Sequence, residues 1–216
     1  MRLALFCGLL AGAHAARAEV TLTMYMEDAV VGEAVINQRL LPDGGKQLTM
    51  TMTFNRPKPG AVIIRNESVY SAEGAPVRMI YEFNQVGQPK NLVTALFGDQ
   101  GANLTVRKGS ESQTRAVNKP DGPTKNQAEH WFISTKPKLG TQTSAYVFSA
   151  AEQEWRLHTT TYKGKKTVTI DGQKFEGHWL ISGTRGKEIS SIVDDRGLPL
   201  VVEGPVRLVR KLGSGK

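Results

Sequence analysis

Between Trp155 and Asp195 the chain reads as strand, turn, strand, turn, strand. Trp155 and Leu157 alternate with Arg156 and His158, the period of two expected of a strand with one buried face. Lys163-Gly164 interrupts the alternation, and a tight turn reads there or at the next pair; Thr167 to Ile170 resumes the alternation with Val168 and Ile170 on the apolar side. Asp171-Gly172 suits a type I′ hairpin turn, because both central residues of that turn take positive φ. Phe175, Trp179 and Ile181 then share one face of the next strand. Two-residue turns make paired residue numbers sum to odd values, which puts Trp155, Leu157, Val168, Ile170, Phe175, Trp179 and Ile181 on one face. A chain patterned this way is committed to antiparallel sheet.

The same pattern runs through the rest of the sequence. Val20, Leu22, Met24 and Met26 alternate with Thr21, Thr23 and Tyr25, and a second strand covers about Val30 to Leu40. After the turn Pro42-Asp43-Gly44-Gly45, Leu48, Met50, Met52 and Phe54 alternate with threonines. Pro57 to Gly60 breaks this strand, and the next, Ala61 to Ala72, ends at Glu73-Gly74-Ala75-Pro76. Val77, Met79, Tyr81 and Phe83 follow on one face, and Leu92 to Phe97 and Ala102 to Arg107 form a hairpin. Lys108 to Lys125 reads as a long loop with one edge strand near Thr114 to Val117. Thr124 and Gln127 stand in capping-box spacing before Ala128, Trp131 and Phe132, which predicts one short helix over about Lys125 to Ser134, stopped by Pro137. Arg196-Gly197 and Gly204-Pro205 turn the last strands. About a dozen short strands at such spacing predict an all-β fold, a long antiparallel meander curled into a half-barrel or barrel with one short helix.

The first residues read as an export signal. Arg2 is a minimal basic region, Leu3 to Ala13 is apolar, and Ala16-Arg17-Ala18 is a small-x-small cleavage site; Ala13-His14-Ala15 is an alternative. Residues 1–18 are therefore expected to be a signal peptide, 19–211 a single β domain and 212–216 a disordered tail, with the mature protein periplasmic or secreted. Cys7, the one cysteine, lies in the apolar stretch, too close to the start for a lipoprotein signal. The mature domain then has no disulfide and must stand on its core. The net charge of +8 falls to +6 without Arg2 and Arg17. The remaining cations cluster at turns (Lys163, Lys165, Lys166, Arg185, Lys187) and in the tail, where they keep strand edges soluble or attract anionic headgroups and glycans. Export and the lack of a stacking-aromatic motif argue against a nucleic-acid partner.

The run HWFISTKPKLGTQTSAYVFSAAEQEWRLHTTTYKGKKTVTIDGQKFEGHWLI, followed by DDRGLPLVVEGPVRLVRK, resembles a family of secreted bacterial proteins of unknown function. An aromatic-Pro-Lys-x-Gly entry, a Tyr-x-Gly-Lys hairpin and a late Gly-Leu-Pro-Leu turn carry the resemblance. It implies a long curled antiparallel sheet, similar in architecture to the periplasmic lipoprotein carriers (LolA/LolB-like), in which a half-barrel holds acyl chains against a covering helix. No functional residue carries over.

Chemistry is sparsely marked. His130, His158 and His178 survive cleavage. The predicted pairing separates His158 and His178 by four to six residues, roughly 13–20 Å, too far to share a metal, and they read as surface histidines. Asp194-Asp195 reads as the start of a turn, since strand neighbours point to opposite faces. No nucleophile elbow, phosphate loop or zinc motif is present, and neither enzyme activity nor a cofactor, metal or membrane span is expected. Met24, Met26, Met50, Met52 and Met79 fall on apolar faces, where the adaptable thioether suits either core filling or a groove for variable apolar partners. With Trp131 and Phe132 as a lid, they are the candidate ligand-binding residues. The expected function is a non-catalytic binding or carrier protein for an apolar or lipid-like cell-envelope molecule. The alternatives are an envelope structural or assembly partner that contacts another protein, and a hydrolase with an unrecognised site.

Overall fold

All the strands join in one sheet. The computed structural model describes residues 17–55, 60–124 and 131–213. Within them, consecutive hairpins run outward from β1 (Arg17–Met26) through β2 (Ala29–Leu40), β3 (Lys46–Phe54), β4 (Val62–Tyr70), β5 (Pro76–Gln85), β6 (Asn91–Gly98) and β7 (Gly101–Lys108) to β8 (Glu111–Asn118). A second meander runs from β9 (Gln142–Ser149) through β10 (Glu154–Ile170), β11 (Gln173–Thr184), β12 (Lys187–Val193) and β13 (Pro199–Glu203) to β14 (Arg207–Arg210). β14 pairs with β1, which joins the two meanders into a 14-stranded antiparallel sheet with β8 and β9 at its edges. The connection from one edge to the other carries α1 (Trp131–Thr135). The expected signal segment up to Ala16, the chain break at 56–59, the start of the predicted helix at 125–130 with His130, and the tail from 214 lie outside the described residues. Leu212, placed in the tail from sequence, packs against the Ile170 cluster.

The sheet curls without closing. Phe97 of β6 meets Phe148 of β9 and Trp155 of β10 edge-on, at ring separations of 5.4 and 5.6 Å. Arg115 of β8 donates to the Gln153 carbonyl (3.3 Å) and side chain (3.1 Å) in the β9–β10 turn. These contacts hold the two edges near each other, and no ladder pairs β8 with β9. A continuous cluster of Tyr70, Met79, Ala95, Ala102, Leu104 and Phe148 fills the space between them. Leu22, Met24 and Ala34 form a second buried cluster, and Ile170, Ile192, Leu200 and Val201 a third. Each fully buried Leu contributes about 1.5–3 kcal/mol relative to exposure.

The Asp171-Gly172 turn forms as its chemistry predicts: φ is 48° and 78° at the two residues, and Ile170 pairs with Gln173 across it. The Lys163-Gly164 turn does not form. β10 runs unbroken past it; Tyr162 pairs with Leu180 and Gly164 with Trp179, so Lys163 is the extra residue of a β-bulge. A bulge shifts side-chain parity by one, as a two-residue turn does, so the hydrophobic pattern is the same for both. His158 consequently pairs with Ala145 of β9, not with the strand after the bulge. Trp155 and Leu157 keep the predicted face, but Trp155 packs at the seam with Phe97 while Leu157 stays exposed. The edge strand near Thr114 to Val117 is real and longer than expected, spanning β8.

Candidate functional site

The bulge in β10 builds the site. In a regular strand Tyr162 and Lys165, three residues apart, face opposite ways. With Lys163 extruded they share a face, and on that face Tyr162 sits beside Leu180 and Lys165 opposite His178 of β11. The loop after α1 is fastened to the same point: Gly140 N–H donates to the Tyr162 carbonyl (2.8 Å) and Tyr162 N–H to that of Thr141 (2.9 Å). α1 itself ends where Lys136 takes φ of 46° ahead of Pro137, and Thr135 donates its hydroxyl back to the Trp131 carbonyl at 2.7 Å. The helix is thereby laid on β10–β12. Phe132, 1% exposed, stacks on Tyr162 at 6.4 Å and packs against His178 at 5.0 Å.

A line of polar groups runs along one wall. His178 is buried; its Nε2 lies 3.0 Å from Asp195 Oδ1 and its Nδ1 3.4 Å from the Tyr162 hydroxyl. A carboxylate only accepts, so in the neutral imidazole Nε2 carries the proton and donates to Asp195. Nδ1 is then the acceptor, and Tyr162 O–H donates to it. Lys165 Nζ is 3.3 Å from the same Asp195 oxygen and 3.5 Å from Glu176. The hydrogen bonds from Lys165 and His178 hold the Asp195 carboxyl below its ordinary range. Desolvation pulls the Lys165 ammonium down, but Asp195 and Glu176 outweigh it and leave the group above its usual value.

These groups open on a cleft of about 410 Å³, whose apolar walls are Phe132, Ile133, Pro137 and Tyr162 and whose polar walls are Lys136, Lys165, His178 and Asp195. That size falls in the range of small-molecule sites. Among the described residues no group of three or more His, Cys, Asp or Glu side chains is placed to hold a metal.

The sequence-derived ligand residues are dispersed. Phe132 is in the cleft wall, and Trp131 packs behind it, 6.5 Å from Tyr162. Met24 and Met52 come together in the β1–β2 cluster, and Met79 lies in the seam cluster. Met50 is half-buried on β3, paired with Ile36 and Asn66, and Met26 is 43% exposed. None of the five methionines lines the α1 cleft. His178, read from sequence as a surface residue, is buried, because α1 covers it. Asp194 and Asp195 lie in the turn after β12 and take different partners. Asp194 caps the turn, accepting from the amides of Arg196 and Leu198 (both 2.9 Å), while Asp195 reaches His178. The one signal for Tyr162 was the glycine two residues after it, which marks a bulge as readily as a turn.

No family model matches the chain, and no curated protein is similar to it. A solved structure shares the fold: the β-barrel-like protein of a domain of unknown function, DUF1849, from Brucella abortus, with a TM-score of 0.58 at 10% identity over 91% of this chain and 96% of that one. The likeness is one of fold alone. A DUF1089 family protein from Pseudomonas aeruginosa also aligns, over 94% of this chain and 97% of that one, at 14% identity and a TM-score of 0.42.

Proposed function

We propose that the chain is an exported binding protein for an amphiphile with an apolar body and an anionic head, such as a long-chain carboxylate of the cell envelope, taken up in the cleft under α1. The observation that carries this reading is the composition of that cleft: an open apolar trough with two ammonium groups, Lys136 and Lys165, and one carboxylate, Asp195, at its walls, a net positive rim. An apolar chain removes the trough from water, at about 25 cal/mol per Å² of apolar surface buried. The lysines supply charge-assisted contacts that fix which end lies where. The export signal read in residues 1–18 supports an envelope setting.

Titration of residues 19–216 with a fluorescent long-chain fatty acid tests the proposal. Saturable binding is expected. Ile133→Glu, which sets a carboxylate in the trough, should weaken it by about 10-fold or more, a loss of at least about 1.4 kcal/mol. Lys136→Glu should weaken the acid but not the corresponding long-chain alcohol. Absence of saturable binding, or equal affinity in parent and Ile133→Glu, would overturn the proposal.

A further inference from the structure

Tyr162, His178 and Asp195 stand in an order that binding alone does not require. The phenol donates to one imidazole nitrogen, and the other donates to a carboxylate held ionised by Lys165. That is the arrangement of an activated nucleophile: an oxygen acid, a base beside it, and a third group that fixes the tautomer of the base. The 3.4 Å separation of Tyr162 and His178 is loose, as such contacts commonly are before substrate closes on them. Both side chains line the trough, which brings the polar line to the place where an acyl chain would lie.

We propose that Tyr162 and His178 are catalytic residues that hydrolyse carboxylic esters of long acyl chains bound in this cleft, with Asp195 as the positioning residue. The inference rests on the cleft being the amphiphile site. The fatty carboxylate expected to bind there is the product of this reaction. In the first half, the Tyr162 oxygen attacks the ester carbonyl carbon while its proton passes to His178 Nδ1. The tetrahedral oxyanion faces the ammonium groups of the cleft. The bond to the alcohol oxygen then breaks, the alcohol leaves with the proton from Nδ1, and the acyl group remains on Tyr162. In the second half, water gives a proton to Nδ1 and attacks the acyl carbon. The bond to Tyr162 breaks, the phenolate recovers the proton from Nδ1, and the carboxylic acid departs. Ester and water become acid and alcohol, with no other reactant.

The test uses p-nitrophenyl octanoate on residues 19–216, with release of p-nitrophenolate and mass spectrometry of the Tyr162 peptide as readouts. The expected result is turnover above the rate in buffer with free imidazole, and octanoylation of Tyr162. Tyr162→Phe keeps the ring that stacks on Phe132 and should lose both signals, by at least about 100-fold in rate. Asp195 is exposed, so Asp195→Asn leaves the core intact and keeps the fold testable if Tyr162→Phe does not fold. It should lower kcat with little change in KM, which a merely structural residue would not do. No turnover above free imidazole, acylation at another residue, or full kcat in Asp195→Asn would overturn the inference. The fatty-acid titration separates the two readings: binding without turnover sinks hydrolysis alone, and loss of both sinks the cleft as well.

Discussion

Leu208 and Val209 are neighbours in β14 and pack into different cores. Leu208 lies against Leu22, Met24 and Ala34, whereas Val209 lies against Ile192, Leu200 and Val201. Successive strand residues face opposite ways, so β14 contributes to an apolar cluster on each face of the sheet. The two cores should then respond to mutation independently. Leu22→Ala is expected to destabilise by about 2–5 kcal/mol and Ile192→Val by about 0.5–1.5 kcal/mol. In urea unfolding the double variant should show their sum to within about 0.5 kcal/mol. A larger discrepancy would mean that the clusters are coupled through β14.

At Gly172 the expected effect is purely conformational. A Cβ there meets no heavy atom within 4 Å, but φ is 78°. Gly172→Val should lower stability by at least about 1 kcal/mol, because a β-branched residue resists the left-handed region, while Gly172→Asn should lose much less. Equal unfolding midpoints for the two variants would contradict the turn geometry.

Asp194 predicts an acid limb. Burial pushes its carboxyl up, but the Leu198 amide, the Arg210 guanidinium and the Arg196 amide together outweigh burial and hold it below the ordinary value. A carboxyl lowered in the folded state stabilises above the unfolded value, about 3.9, and loses that contribution as pH falls through its folded value. Asp194→Asn should therefore be less stable at neutral pH and show a flatter fall in Tm below about pH 4. If parent and variant melt with the same slope in acid, Asp194 is not the group responsible.

The fold was readable wherever polarity and turn chemistry spoke together. Strand β3 and the Asp171-Gly172 hairpin form as the sequence implies: Leu48, Met52 and Phe54 pack against buried clusters, though all of β3 is half-buried, and positive φ sets the turn. Lys163-Gly164 was not readable, because a turn and a bulge leave the same parity behind. That ambiguity hid the site as well. Tyr162 and Lys165 share a face only through the bulge, and Asp195 lies 17 residues beyond His178, so no local spacing announces the cluster. The methionines were legible as apolar face residues, but not the cluster each would join, which depends on how the sheet curls.

The central claim is that an amphiphile enters under α1. The most direct measurement is a titration of methyl-labelled protein, with the Met and Ile methyl groups observed by NMR, against dodecanoate. Saturable shifts are expected at Ile133, with Met24, Met52 and Met79 unmoved. Shifts confined to those methionines, or no saturable shift at Ile133, would contradict it.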